Sequence, residues 1–143
     1  MNHANIIVDT SVIIKWLLPD EEDSTAIHIK RAFTSKILTI SIPHLTYYEV
    51  GNVLKVAVKR ERITSETAKE LYNAFVDLEF VSYATRDLFT LALSKSIELG
   101  ISTYDASYVA LSDYLHVQFV TADQKLCKKV TNKLIVDLRD YGR

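Results

Sequence analysis

The sequence has very little of what marks a secreted or membrane-bound protein. Cys127 is the only cysteine among 143 residues, so no internal disulfide can form, and a reducing, intracellular setting is expected. No apolar run approaches the ~20 residues that span a bilayer. The first residues also lack the basic region and the long apolar stretch of a signal peptide. We therefore expect a cytoplasmic protein without a membrane partner.

An excess of charge of either sign is also absent. The net charge is −1 and the pI is about 6.4, so no global basic field points to nucleic acid, and any such contact needs a local patch. With only three glycines, the chain contains no Gly/Ser linker, repeat or low-complexity tract. Its apolar content of 48% is enough for a full hydrophobic core. A single domain over residues 1–143 is expected.

Short apolar runs alternate with segments of helical period along the whole chain. Runs that are apolar throughout and separated by helices are typical of a parallel sheet covered on both faces. The pattern predicts an α/β fold, a three-layer α/β/α sandwich with a central, mostly parallel sheet of about five strands. Two helices separate the third strand from the fourth, so we expect residues 100–103 to carry the chain back along the sheet. The predicted strands are 5–9, 37–41, 79–83, 117–121 and 133–137.

Four acidic residues fall where such a fold would bring them together. Asp9 ends the first strand, and Glu49 lies in the second turn of the helix after strand two. Asp105 opens the helix that leads to strand four, and Asp123 lies two residues beyond that strand. Parallel strands end at the same edge of a sheet, where ligands bind. We expect the four carboxylates to converge on this edge.

Each of these acids also has a purely structural interpretation. Asp9 and Asp123 precede helices and could act as N-caps. Asp105 stands three residues after Ser102, which resembles a capping box with aspartate in place of glutamate. Glu49 could be a partly solvated helix position. It lies in a mostly apolar helix, however, where a buried carboxylate needs a partner or a cation.

Carboxylates held close together repel unless a cation neutralises them, so the set favours a metal site. Oxygen ligands alone suit Mg²⁺ or Mn²⁺. Zinc is disfavoured because the four histidines are scattered and Cys127 has no cysteine partner. An acid-lined divalent site suits phosphodiester hydrolysis, in which the ion activates water and stabilises the leaving oxygen.

Four segments in this order and spacing resemble the PIN domain, and in particular the VapC-like toxins of prokaryotic toxin–antitoxin pairs. The segments are "IIVDTSVIIKWLLPDE", "YYEVGNVL", "STYDASYVALSDYL" and "FVTADQKL". Any one of these segments is weak evidence for the family, but the ordered set of four is specific and covers nearly the whole chain.

The resemblance implies a Mg²⁺- or Mn²⁺-dependent endoribonuclease that acts as a toxin. It carries the family's acidic quartet onto Asp9, Glu49, Asp105 and Asp123. Glu49 would bind a second ion or orient the attacking water, and the three aspartates would bind the first. The supporting positions of the family fall on Thr10, Asn52 and Thr121. The alternative is a PIN-like domain in RNA processing, or a non-catalytic module that binds metal and a partner.

The resemblance also implies a homodimer, a small antitoxin partner and an RNA substrate. Two local basic runs could contact RNA phosphates, although a solvated helix face explains each of them equally well. The runs consist of Lys55, Lys59, Arg60 and Arg62, and of Lys125, Lys128, Lys129 and Lys133. Tyr104 and Tyr108 could stack on bases, but we interpret them as core residues with surface hydroxyls.

Two other classes of protein fit the sequence around the first strand less well. A haloacid-dehalogenase-like phosphatase with Asp9 as nucleophile needs an acid two residues on, where this chain has Ser11. A receiver-like signalling domain needs an acidic pair at the end of the first strand, but Val8 precedes Asp9. It also needs a lysine after the last strand, and none follows residues 133–137.

Overall fold

A five-stranded parallel sheet forms the centre of the computed structural model, which describes residues 4–143. The predicted domain of residues 1–143 thus begins with three residues that lie outside the described part. The strands are β1 (Ala4–Val8), β2 (Leu38–Pro43), β3 (Val81–Tyr83), β4 (Phe119–Thr121) and β5 (Ile135–Asp137), in the spatial order β3-β2-β1-β4-β5. Each pairing between them is parallel. The predicted strands are confirmed, with ends that shift by at most two residues.

Seven α-helices within residues 4–143 cover the sheet. They are α1 (Thr10–Leu17), α2 (Ser24–Thr34), α3 (Thr46–Lys59), α4 (Ser65–Val76), α5 (Arg86–Leu99), α6 (Thr103–Leu115) and α7 (Gln124–Lys129). One short 3₁₀ turn, Pro19–Glu21, follows α1, and a second, Leu138–Asp140, follows β5. None of the described helices is long and apolar enough to cross a bilayer.

The side chains of β1 show why the fold has three layers. Successive residues of a strand point to opposite faces of the sheet. Ile6 and Val8 belong to a core that includes residues of α1, α2, α3 and α4, whereas Ile7 belongs to a second core with residues of α5, α6 and α7. The predicted α/β/α sandwich is therefore confirmed.

The two helices between β3 and β4 are arranged differently from the sequence-based expectation. Gly100, with φ of 65°, ends α5, and α6 begins at Thr103 after a link of residues 100–102. Such a link spans roughly 10 Å at ~3.3 Å a residue, whereas α5 is about 21 Å long. Because α5 and α6 also pack against each other, they form an antiparallel hairpin. Residues 100–102 therefore only reverse the direction of the chain between the two helices. They do not carry it back along the sheet, as the sequence-based expectation requires.

Candidate active site at the carboxyl edge of the sheet

Asp9 lies at the centre of the site, immediately after β1. It is the N-cap residue of α1, yet its side chain makes no capping hydrogen bond. Instead the Ser11 hydroxyl donates to Oδ1 and the Thr121 hydroxyl donates to Oδ2, the latter at 2.5 Å. Only 8% of the residue is exposed. The carboxylate is therefore held by hydroxyl groups at the buried end of the central strand.

The two hydroxyls are themselves oriented by backbone amides. The N–H of Ala122 donates to Ser11 Oγ at 2.9 Å, and the N–H of Asp123 donates to Thr121 Oγ1 at 3.0 Å. Because each hydroxyl oxygen already accepts from an amide, its own proton is directed to Asp9. The chain after β4 thus fixes the orientation of a carboxylate that follows β1.

Burial dominates the electrostatics of Asp9. Removal from water raises its pKa from 3.8 to about 6, although the hydrogen bonds from Ser11 and Thr121 act in the opposite direction. The nearby charge of Glu49 raises the pKa further. An aspartate in this setting binds its proton more tightly than usual unless another positive charge replaces that proton.

Glu49 lies in the first turn of α3 and not in the second as predicted, because the helix begins at Thr46. Its Oε1 accepts hydrogen bonds from the Tyr108 hydroxyl at 2.5 Å and from the Thr10 hydroxyl at 3.3 Å. Partial burial raises the pKa of Glu49, and the charge of Asp105 raises it as well, while the two hydroxyls lower it. Asn52, predicted as a supporting residue one turn further along α3, is exposed and takes no part in this hydrogen-bond network.

The structural interpretations of Asp105 and Asp123 both hold in part. Ser102 is the N-cap of α6 and accepts from the backbone N–H of Asp105 at 3.0 Å. Asp123 caps α7, since its Oδ1 accepts from the N–H of Leu126 at 3.1 Å. The pKa of Asp105 is raised, first by burial and then by the charge of Asp123, and lowered by Ser102 and by Lys129.

The four acids are electrostatic neighbours in one series. Asp9 interacts with Glu49, Glu49 with Asp105, and Asp105 with Asp123. As the side chains stand, however, no three histidine, cysteine, aspartate or glutamate residues within 4–143 are grouped to hold a metal ion. Their assignment as metal ligands stays a prediction.

The donor set nevertheless fits a hard divalent cation. Its groups are carboxylates and hydroxyls, the oxygen ligands that Mg²⁺ and Mn²⁺ prefer. None of the four acids forms a salt bridge with a lysine or arginine of the described residues, and burial raises the pKa of Asp9 in particular. A cation would offset both the desolvation and the mutual repulsion of these groups.

Sequence reasoning missed two residues of the site. Ser11 was weighed only as an argument against a phosphatase, although its place two residues after Asp9 brings its hydroxyl back to that carboxylate. Tyr108 is a core residue as predicted, but its hydroxyl is bonded to Glu49 rather than lying at the surface. Tyr104 is not a core residue, since 67% of it is exposed.

The basic runs lie on exposed surface. Each of their eight members is exposed, which agrees with solvated helix faces. Arg62 forms ion pairs with Asp20 and Glu21, so its charge is already engaged. Lys129, at the end of α7, is the member whose charge lowers the pKa of Asp105.

Known proteins resemble this chain in both sequence and fold. Ribonuclease VapC3 of Pyrobaculum aerophilum is 33% identical over 130 residues, which cover 87% of this chain and 93% of that protein. Ribonuclease VapC9 of Mycobacterium tuberculosis is 30% identical over 121 residues, covering 85% and 87% of the two chains. Each alignment therefore spans most of both proteins.

Solved structures agree on the fold. The crystal structure of PAE2754 from Pyrobaculum aerophilum superposes with a TM-score of 0.70 at 23% identity, covering 96% of this chain and 85% of the other. VapBC2 from Rickettsia felis, bound to a promoter DNA fragment, gives a TM-score of 0.67 at 14% identity and covers 93% and 98%. The family model of the PIN domain matches residues 6–131. This chain belongs to the PIN domain family.

Proposed function

We propose that this protein is a Mg²⁺- or Mn²⁺-dependent endoribonuclease and the toxin of a toxin–antitoxin pair. The observation that carries the proposal is Asp9, a buried carboxylate that forms no salt bridge within residues 4–143. It is held by two hydroxyls in an edge that also contains Glu49, Asp105 and Asp123. The relatives named VapC ribonucleases, which align over most of the chain, support the choice of RNA as substrate.

Each acid has a separate role in this proposal. Asp9, Asp105 and Asp123 would hold one divalent ion, and Glu49 would hold a second or orient the attacking water. A divalent ion held there would supply the activation of water and the neutralisation of charge on the cleaved phosphodiester. Ser11 and Thr121 keep the oxygens of Asp9 in place, so this carboxylate needs no rearrangement of its own when substrate binds.

Exposed lysines next to the edge would attract the RNA backbone. Lys129 is the best placed, because its charge already acts on Asp105. A contact between this ammonium group and a phosphate would make binding weaker at high salt. Lys129→Gln should therefore raise KM and reduce the salt dependence of KM, with kcat little changed.

A cleavage assay with matched variants tests the proposal. The purified protein should cleave RNA with Mg²⁺ or Mn²⁺ and stop with EDTA. Asp9→Ala and Asp105→Asn should be inactive, whereas Asp113→Asn, an aspartate on the same helix as Asp105 and paired with Lys95, should retain activity. Equal cleavage by all variants would identify a contaminating nuclease and reject the proposal. Tight Mn²⁺ binding without cleavage would favour the non-catalytic module.

A groove between α3 and α4 suits the antitoxin that the proposal requires. It has a volume of about 760 Å³, and its apolar walls include Leu54 and Val58 of α3 and Ala68 of α4. Three lysines also line it: Lys55, Lys59 and Lys69. This combination suits a protein segment with one apolar face and acidic flanks. We assign the groove to such a segment of the antitoxin.

Charge reversal in the groove tests this assignment. The partner to use is the product of a short reading frame adjacent to the gene of this protein. Lys69→Glu should weaken its binding strongly, whereas Lys30→Glu on α2 should not. RNA cleavage by the two variants should stay the same as in the wild type. Unchanged partner binding by Lys69→Glu would contradict the assignment.

An exposed stripe on α5 suits the proposed homodimer. Phe89, Leu93 and Ile97 follow one another at four-residue spacing, and they are 63%, 54% and 76% exposed. Apolar side chains at this spacing share one helix face, and a two-fold axis at Leu93 would pair the stripe with itself. Leu93→Glu should convert a dimer to a monomer in analytical ultracentrifugation, and a monomeric wild type would reject the dimer.

A further inference from the structure

Tyr108 connects the two helices that carry Glu49 and Asp105. It lies on α6, one turn after Asp105, and only 2% of it is exposed. Its ring stacks on Phe119 of β4, with centroids 5.4 Å apart and an angle of 15° between the planes. Its hydroxyl contacts two residues of α3, Thr46 at 2.8 Å and Glu49 at 2.5 Å.

The direction of these hydrogen bonds follows from the number of available protons. An ionised Glu49 can only accept, so the single hydroxyl proton of Tyr108 is donated to Oε1. Thr46, which is completely buried, must then donate its own proton to the oxygen of Tyr108. The result is a polarised chain from Thr46 through Tyr108 to Glu49, in which each bond strengthens the next.

The two carboxylate oxygens of Glu49 differ in their hydrogen bonds. Oε1 accepts from both Tyr108 and Thr10, and Thr10 directly follows Asp9. Oε2 takes part in none of the hydrogen bonds found among the described residues. One oxygen of the Glu49 carboxylate is therefore held by two hydroxyl groups. The other has no hydrogen-bond partner among the described residues and can accept a cation or a water molecule.

We propose that Tyr108 is a positioning residue, which anchors Oε1 of Glu49 so that Oε2 is presented to a divalent ion or to the attacking water. The inference rests on the proposed nuclease function and adds a residue to it. A glutamate side chain has three rotatable bonds, and holding it in one rotamer before substrate binds removes that entropic cost from the reaction. Phenylalanine would fill the same core position equally well, so packing alone does not account for the buried hydroxyl.

The experiment removes this hydroxyl and leaves the ring in place. Tyr108→Phe should lower kcat for RNA cleavage about 10-fold and change KM less than about twofold, because the bond acts on a group at the reacting centre. It should also weaken the binding of Mn²⁺ alone, measured by calorimetry, by a factor of about three. Tyr114→Phe on the same helix is the control, since this tyrosine is 59% exposed and should change neither value.

A double-mutant cycle with Glu49 separates positioning from a general effect on the core. In the Glu49→Gln background, Tyr108→Phe should change kcat less than about twofold, since the group that Tyr108 positions has been altered. A 10-fold loss in both backgrounds would overturn the inference, and so would full activity and Mn²⁺ affinity of Tyr108→Phe. Thr46→Val, which removes only the donor to Tyr108, should give a smaller loss in the same direction.

These outcomes remain distinct from those of the proposed function. If the wild type binds Mn²⁺ but cleaves no RNA, the nuclease proposal fails while the Mn²⁺ titration of Tyr108→Phe still decides the inference. If the wild type does neither, both are rejected. Urea unfolding of each variant checks that the loss of activity does not result from loss of the fold.

Discussion

Thr121 and Asp9 are joined by a buried hydrogen bond across 112 positions of sequence, with Thr121 Oγ1 2.5 Å from Asp9 Oδ2. The register of the sheet explains this contact. β1 and β4 are parallel neighbours in which Val8 pairs with Val120. The next residue of each strand therefore reaches the carboxyl edge beside the other. Two residues that are remote in the sequence thus become one unit of the site through the pairing of the central strands.

The first prediction concerns the hydroxyl of Thr121. Thr121→Val keeps the shape of the side chain but removes its hydroxyl. Asp9 Oδ2 then loses its hydrogen-bond donor, and the N–H of Asp123 loses its acceptor. We expect the free energy of unfolding in EDTA at pH 7 to fall by about 2 kcal/mol. Thr121→Ser retains the hydroxyl and should lose less than half as much. Equal losses in urea titrations of the two variants would show that packing of the methyl group dominates.

The second prediction concerns the pH dependence that Asp9 confers. Burial raises the pKa of Asp9 from its ordinary 3.8 to about 6 in the folded protein, so between these pH values the folded form keeps a proton that the unfolded chain releases. The contribution of Asp9 to the free energy of unfolding is therefore largest at low pH, below its unfolded pKa, and is lost as the pH rises through about 6. Two pKa units correspond to roughly 3 kcal/mol.

Asp9→Asn has no proton to lose and isolates this effect. In EDTA, the stability of Asp9→Asn relative to the wild type should increase by about 2 kcal/mol between pH 4 and pH 7. Urea titrations at several pH values measure the difference, which cancels the contribution of other groups. A difference that does not change with pH would mean that Asp9 is not desolvated in solution.

The sequence was sufficient to predict the strands and the edge on which the acids meet, because both depend on local patterns. Runs such as residues 5–9 are apolar throughout, and parallel strands end at one edge whatever their order. The strand order itself was not predicted. It places β1 between β2 and β4, and the pairing of β1 with β4 makes Asp9 a neighbour of Thr121.

The details of the site depended on contacts that have no sequence signal. The hydroxyl of Tyr108 could have faced solvent on an amphipathic α6, but this helix is buried on several sides, and its tyrosine meets α3 instead. The direction of α5 followed from the length of the link at 100–102 and not from the periodicity of either helix. Tertiary packing decided both features.

The third prediction concerns the stability of Asp105→Asn. Burial and the charge of Asp123 both raise the pKa of Asp105, so its ionised form is destabilising in the metal-free protein. The helix cap does not depend on the carboxylate, because Ser102 accepts from the backbone N–H of residue 105. Asp105→Asn should therefore melt at the same temperature as the wild type or higher in EDTA. A large drop in melting temperature would show that the carboxylate has mainly a structural role.

The last prediction separates the two roles of Asp123, as cap of α7 and as a member of the acidic edge. Asp123→Ala removes the acceptor for the N–H of Leu126 and should cost about 1 kcal/mol of stability. Asp123→Ser restores a capping oxygen and should recover most of that loss in urea titrations, but it leaves no carboxylate for a cation. Both variants should therefore bind Mn²⁺ weakly and cleave RNA poorly. If Asp123→Ser were fully active, Asp123 would act only as a helix cap. If Asp123→Ser were stable but inactive, the carboxylate would be needed for metal binding in addition to its capping role.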